Sequence, residues 1–515
     1  TTNAVDELLK GVVNNEGIIE ANSLDGVTGF VELFAHGGEA KISGAIRAKE
    51  GFVETSGKDF TFNDAKIEAG EWLIDPVNVT IDDGLATAIE NQLGSGDVTI
   101  ETDQSDYSDV DTSNNESGSE GNIYVNSDIT WTSGNILLLG AHNDIFINAT
   151  IDGSAGNAKL ILGYGQSEAT TNNTSNYYIG KNGKINLAEG ENFYTVLGID
   201  GGLKEWTVIT TKEDLQAINT DSASLANNYV LGGDIDLSSV SNWTAIGDST
   251  TKFSGNFDGL GHVVSNLSIS TTSQSQGLFG FTSSTSKISN IGLENINYLG
   301  TGQIGGLVGQ NDGIIKNAYV TGSIVGASSV GGLTGTNTGT ISQSYSNVSI
   351  STRENYLGRQ MGGLVGHNFS TIKNSYSLGS VSGYEHIGGL VGNSFGTIKN
   401  SYATGKVTAT TDFVGGLIGN NRGNISYAYY DKTLSQGMPD EMFFGKTTAE
   451  LQDINTFKND YSNWDIVEDS TLKKGTPVLS WQVGKDGDTK PIWLIGTKVT
   501  SKPIIDKPAT ETPNK

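Results

Sequence analysis

The 515-residue chain contains no cysteine, which excludes disulfides and thiolate metal sites. That absence also suits a bacterial protein that must stay unfolded while it is exported. Basic residues are scarce: 31 Lys and Arg face 58 Asp and Glu, a formal charge of −27. Nucleic-acid binding needs dense cationic charge against phosphate and is excluded, and heparin and anionic membranes are disfavoured with it. The same charge favours solubility of a long exposed rod. No apolar run approaches the roughly 18 residues of a spanning helix, so membrane insertion is not expected. Residues 1–30 lack a basic stretch followed by an apolar one, the order of a signal peptide. The chain starts inside a β-rich pattern, GVVNNEGIIEAN, and reads as a fragment of something longer.

Catalytic signatures are missing as well. The five histidines, His36, His142, His262, His367 and His386, form no HExxH and no i, i+4 pair, and neither GxSxG nor a P-loop occurs. Carboxylate pairs such as Asp82–Asp83 and Asp234 with Asp236 arise freely in so acidic a chain and weigh little as glycosidase signals. The stretch 103–120 carries Asp103, Asp106, Asp109, Asp111, Glu116 and Glu120. These are carboxylates for Ca²⁺ without EF-hand spacing, and the stretch reads as a solvated loop. No catalytic residue, metal or cofactor is expected.

Glycine, by contrast, is abundant, 69 residues against 7 prolines, and regularly placed. GGLVG opens at Gly305, GGLTG at Gly331, GGLVG at Gly362 and Gly388, and GGLIG at Gly415, with spacings of 26, 31, 26 and 27 residues. A period in this range signals a solenoid. With the first glycine as phase zero, phase two is always Leu (Leu307, Leu333, Leu364, Leu390, Leu417) and phase four always Gly. Phase ten is Ile (Ile315, Ile341, Ile372, Ile398, Ile425) and phase fourteen Tyr (Tyr319, Tyr345, Tyr376, Tyr402, Tyr429). Phase six is Asn in four copies: Asn311, Asn337, Asn368 and Asn421. One copy cannot bury its own apolar face. Coiling the chain so that each copy hydrogen-bonds to the next stacks like on like at about 4.8 Å. Leu and Ile become interior columns, Gly allows tight corners with positive φ, and Asn forms a hydrogen-bonded line along a turn. The predicted fold class is all-β, a β-helix.

Two features each leave two readings open. The spacing of 31 places extra residues at Ser351–Met361, STRENYLGRQM, which carries Arg353, Tyr356 and Arg359 on an otherwise acidic rod. It is either a solvated loop or a ligand-binding loop. The tyrosine column is either a buried stack that staples the turns or, facing outward, a platform for stacking sugars.

Elsewhere the pattern is of strands of about five residues cornered by Gly, Asn or Asp. Residues 85–93, LATAIENQL, have helical spacing. Capping-box pairs stand at Thr210–Glu213 and Thr447–Glu450. Sequons at Asn78, Asn115, Asn148, Asn172, Asn173, Asn242, Asn266, Asn347, Asn368 and Asn424 mark candidate surface glycosylation acceptors, most of them supplied by chance in so Asn-, Ser- and Thr-rich a chain.

The copy GGLVGNSFGTIKNSYATGKV (388–407), with the lead-in DLQAINT, NNYVLGGDIDL, NWTAIGD and FSGNFDGLGHVVSNLSI, resembles the GLUG motif over about residues 206–430. GLUG repeats occur on bacterial surface proteins, including some IgA-specific metallopeptidases, whose HExxH is missing here. Upstream, GFVETSGKDFTFNDAKIEAGEWLIDPVNVTI (51–81) and GNIYVNSDITWTSGNILLLGAHNDIFINATID (121–152) resemble two-partner-secretion exoproteins. These are the filamentous-haemagglutinin-like family, and in particular the high-molecular-weight (HMW) adhesins. The resemblance implies a right-handed parallel β-helix with short helical and loop insertions, and export through an outer-membrane partner transporter by way of an N-terminal domain absent from this sequence. It also implies glycosylation at sequon asparagines and attachment to host cells.

The expected organisation is 1–84, β-helix turns like those after the secretion domain of HMW-type adhesins; 85–205, continued β-helix with the acidic loop; and 206–276, a GLUG lead-in. There follow 277–430, the GLUG-repeat β-helix; 431–496, a C-terminal capping module; and 497–515, a linker. The expected function is that of a non-enzymatic, secreted adhesin on a Gram-negative surface, a monomer binding host glycans or glycoproteins. Arg353, Tyr356 and Arg359 are the candidate contacts. A structural or biofilm stalk and a polysaccharide-acting β-helix enzyme are the alternatives.

Overall fold

Like pairs with like along the repeat. Parallel strands bring Gly305, Gly331, Gly362, Gly388 and Gly415 into one row. They bring Ile315, Ile341, Ile372, Ile398 and Ile425 into a second, and the five tyrosines from Tyr319 to Tyr429 into a third. The chain is a parallel β-helix. The computed structural model describes residues 13–24, 27–102, 121–411, 413–435, 444–459, 462–484 and 491–498. The acidic stretch 103–120 and the tail from residue 499 lie outside the described residues.

Three sheets wrap each turn of the repeat. The first includes Gln303–Gly305, Ser328–Gly331, Arg359–Gly362, Glu385–Gly388 and Val414–Gly415. The second includes Val308–Asn311, Thr334–Asn337, Val365–Asn368, Val391–Ser394 and Ile418–Asn421. The third takes in Ile314–Gly326, Tyr345–Thr352 and their successors, and continues into the N-terminal half. The phase-two leucines are fully buried, as are four of the five phase-ten isoleucines, with Ile425 at the end of the coil half-covered. The asparagines form the expected line: Asn311 Nδ2 donates to Asn337 Oδ1 at 2.8 Å, Asn337 Nδ2 to Asn368 Oδ1 at 2.9 Å, and Asn368 Nδ2 to Ser394 Oγ at 3.2 Å.

The positive φ expected of the repeat glycines falls at another corner. Among the described residues, the left-handed positions include Asn317, Gln343, Asn374, Asn400 and Tyr427, all phase twelve, with φ between 48° and 54°. Asparagine tolerates this conformation at a single turn residue, where its short polar side chain bonds locally. The repeat glycines are there for close approach. A Cβ on Gly335 would stand 2.7 Å from the Gly309 carbonyl oxygen and 2.8 Å from the Ile304 nitrogen.

In the N-terminal half the short strands join into long ones, Phe30–Ile42 and Ala45–Phe62, because the chain bends through register shifts at Ala35/Glu39 and Ala48/Phe52 without breaking the ladder. The helix is Asp83–Leu93, capped by Asp82 accepting from the Leu85 nitrogen at 3.0 Å. It buries Leu85, Ile89 and Leu93. Its Gln92 side chain bonds both the nitrogen (3.0 Å) and the oxygen (2.8 Å) of Ala69, pairing as a strand would. An antiparallel pair, Gly190–Leu197 with Lys204–Ile209, interrupts the coil. The core divides there, Val208 packing with the N-terminal half and Ile209 with the repeat half.

The helix Lys212–Ala217 that follows is capped by Thr211 with Asp214, one residue beyond the expected Thr210–Glu213. The strand ends at Ile209 and the helix starts at Lys212, so Thr211, with its extended backbone, is the cap. Thr447 and Glu450 do bond reciprocally, the Thr447 nitrogen to Glu450 Oε2 at 2.6 Å and the Glu450 nitrogen to Thr447 Oγ1 at 3.2 Å.

The tyrosine column is the buried stack of the first reading, although it faces out of the coil: Tyr376, Tyr402 and Tyr429 are buried and Tyr319 and Tyr345 partly so. Tyr376, Tyr402 and Tyr429 share a third apolar cluster with Leu451, Phe457, Trp464, Ile466, Leu479, Trp493 and Ile495 of the C-terminal segment. That segment's strands, Ile466–Lys473, Val478–Leu479 and Trp493–Lys498, form a separate small sheet. No described helix is long and apolar enough to cross a membrane.

Candidate functional site

The insertion leaves the coil between Tyr345–Thr352 and Arg359–Gly362, so the excursion itself is 353–358. The Arg353 nitrogen holds the Gly326 oxygen at 2.7 Å, and the Tyr356 nitrogen donates back to the Arg353 oxygen at 3.1 Å. This tight turn sets the Arg353 guanidinium 5.5 Å from the Tyr356 ring centroid, with Tyr356 and Leu357 half-exposed. Arg359 is placed differently. It starts the next strand of the first sheet, opposite Glu385 of the following turn, with Nε 3.3 Å from Oε2. The structure therefore joins Arg353 to Tyr356 and sends Arg359 onto the outer face of the coil.

That face carries residues that attention to the constant phases passes over. Successive strand residues point to opposite sides, so with Asn368 inside, His367 and Phe369 stand outside. Phe369 and the equivalent Phe395 stack with centroids 5.6 Å apart and planes inclined by 10°. Arg422, the same position one turn later, lies 5.5 Å from the Phe395 ring. His367 packs against Phe369 at 4.0 Å, and the Asn393 amide lies 3.2 Å from its Nε2. Asn420 in turn donates to Asn393 Oδ1 at 2.9 Å. On the first sheet His386 meets Phe413 edge-on at 5.2 Å. Phe369, Phe395 and Phe413 remain 48%, 42% and 45% exposed. Apolar rings exposed together on successive turns make this face a candidate interaction surface. The whole chain has four arginines, Arg47, Arg353, Arg359 and Arg422, and three of them gather on these turns.

Burial lowers the His367 pKa, and the nearby His386 lowers it further. His386 is also lowered, chiefly by burial and secondarily by Arg422 and Arg359, against the opposing pull of Glu385. Both imidazoles thus stay neutral near pH 7 and are set to charge in acid. Flat rings, guanidinium forks and amide donors together suit a ligand with apolar C–H faces, hydroxyls and carboxylates. The sequence signal for this face was present: phases five and seven read His, Asn, Asn and Phe, Phe, Arg over the last three copies.

The sequons divide by exposure. Asn78, Asn172, Asn242, Asn266, Asn347 and Asn424 are exposed. Asn148 and Asn173 are partly buried and donate to Asn126 Oδ1 and to the Gly165 oxygen. Asn368 is corrected: it is fully buried in the asparagine line and has no room for a glycan. Asn115 lies outside the described residues.

Against known proteins, the GLUG motif matches residues 300–325, 358–382 and 383–408. Halomucin of Haloquadratum walsbyi (strain DSM 16790 / HBSQ001) is 36% identical over 133 residues, which are 23% of this chain and 2% of that protein. A putative immunoglobulin A1 protease from Bacteroides ovatus overlays 45% of this chain and 76% of its own at 22% identity and a TM-score of 0.38. An IgA1 protease overlays 47% of this chain and 22% of its own at 20% identity and a TM-score of 0.35. Overlays this loose carry nothing to the chemistry of this chain. GLUG-motif repeats build the turns on which the candidate face stands.

Proposed function

We propose that this chain is a displayed section of a secreted bacterial adhesin, and that it attaches to acidic host glycans or glycoproteins through the cation–aromatic face of its last turns. The observation that carries the reading is the exposed Phe369–Phe395 stack with Arg422 over it, on a chain of net charge −27 where arginine is otherwise almost absent. Arg359 beside His386, which Arg422 also influences, extends the same surface, and Arg353 with Tyr356 occupies the loop just before Arg359. The N-terminal resemblance to two-partner-secretion exoproteins supports export across the outer membrane of a Gram-negative cell and a role without catalysis. A stalk reading draws on the uniformity of the coil, since stacked identical columns also serve as a spacer.

The test is glycan-array and host-cell binding by the chain, alongside two variants, Arg353→Ala/Tyr356→Ala/Arg359→Ala and Phe369→Ala/Phe395→Ala/Arg422→Ala. Binding to sialylated glycans, reduced at least tenfold (about 1.4 kcal/mol) in both variants with unchanged melting, supports the adhesin. Silence across glycans and cells leaves the stalk, and turnover of a polysaccharide would point to the enzyme.

A further inference from the structure

The outward tyrosine ladder stops at Tyr319. The preceding turn pairs Gly292 with Tyr319, so glycine occupies the place that tyrosine takes in every later turn. With no side chain there, the Tyr319 ring settles onto Gly292, where even a Cβ would stand 2.4 Å from it. Beyond that glycine a cavity of about 240 Å³ stays unfilled. Tyr319, Tyr345 and Trp481 supply its aromatic side, Ile179 and Ile291 its aliphatic side, and Lys181, Gln482, Asn290 and His262 its polar groups.

These walls are fixed. The Trp481 indole N–H donates to the Gln343 oxygen at 2.8 Å, which holds the ring 6.4 Å from Tyr319 and 6.0 Å from Tyr345, inclined by 32° to each. Gln482 Oε1 accepts from Tyr376 Oη at 2.9 Å and from the Leu479 nitrogen at 2.8 Å. Tyr319 Oη donates to Glu294 Oε1 at 2.6 Å. Lys181 is exposed and marks the solvent side. No Asp or Glu is among the described residues that line the space, although the chain carries 58 of them.

We infer that this cavity is a binding site for one acidic sugar ring, a hexuronate or its like. Its volume lies just below the roughly 300–1,000 Å³ of drug-sized ligand pockets, which suits a single ring. An apolar ring face stacks where the ladder's next aromatic would lie. The single ammonium of Lys181 answers one carboxylate, and the lack of lining carboxylates disfavours a metal cation. The site stands apart from the cation–aromatic face and does not depend on it.

The test is calorimetric titration of the full chain with sodium glucuronate and with glucose, on the native protein, on Lys181→Gln, and on Arg353→Ala/Tyr356→Ala/Arg359→Ala. Lys181 is exposed, so its replacement leaves the fold intact. The expected result is saturable one-to-one glucuronate binding, at least tenfold weaker for glucose, at least tenfold weaker in Lys181→Gln, and unchanged in the triple variant. Three outcomes overturn the site: no saturation at millimolar glucuronate, equal titration of Lys181→Gln and native protein, or loss in the triple variant in place of Lys181→Gln.

Discussion

Tyr376 lies flat on Tyr402, with centroids 4.9 Å apart and planes inclined by 2°, and Trp493 covers both at 5.9 Å. The repeat thus has two apolar products: the Leu and Ile columns that fill the coil, and an outer tyrosine ladder on which the C-terminal segment folds. The second core exists only where both parts meet.

Trp493 is fully buried in that second core. Trp493→Ala should cost about 3–5 kcal/mol, as for other large aromatic truncations. The loss should be local, because the coil's own core does not include it. Limited proteolysis should open the segment 444–498 while far-UV circular dichroism keeps the strand signal. Collapse of the whole strand signal would contradict this division.

The asparagine line should show a position effect. Asn337→Ala takes one partner from Asn311 Nδ2 and one from Asn368 Oδ1 in a buried row, leaving only the Gly313 oxygen at 3.2 Å and the Ser370 nitrogen at 3.4 Å, a cost of about 1–3 kcal/mol. Asn421, exposed in the last copy, should tolerate the same change within about 0.5 kcal/mol. Urea denaturation of the two variants makes the comparison.

Close approach, rather than positive φ, should govern the repeat glycines. Gly335→Ala would press a methyl against two backbone atoms within 2.8 Å and should cost at least about 3 kcal/mol, the top of the usual overpacking range. Gly233→Ala, with nothing within 4 Å, should stay within about 0.5 kcal/mol. Equal melting temperatures for the two would refute the packing argument.

Spacing alone carried the coil, because parallel register depends only on which residues recur at which phase. Leu307, Ile315, Asn311 and Tyr319 all stack as their phases require, Leu307 through its nitrogen on the Leu333 oxygen at 3.0 Å. The C-terminal contact was not legible, since the Trp481 bond to Gln343 spans 138 residues and leaves no local period. The burial of the tyrosines depends on that same distant segment. Phe369, Phe395 and Arg422 escaped because they sit at a phase that varies, and only the coil shows that variable residues share one face.

Acid should separate binding from stability. Burial holds the His367 and His386 pKa values below the usual histidine range. The unfolded chain therefore takes up protons that the folded chain resists, so this contribution to stability is present above about pH 6.5 and is lost as pH falls below it. An anionic ligand favours the imidazolium forms and should bind more tightly over the same window. From about pH 7.5 to about pH 5.5, melting temperature should fall and affinity for a sialylated glycan should rise, with His367→Gln flattening both trends.

The most direct measurement is the affinity of the folded chain for a sialylated glycan and its asialo counterpart, compared with Arg359→Ala/Arg422→Ala. A cation–aromatic face that takes acidic glycans gives saturable binding of the sialylated form, at least tenfold weaker binding of the asialo form, and a comparable loss in the double variant at unchanged melting temperature. Equal affinity for the two glycans, or native affinity in the double variant, would contradict it.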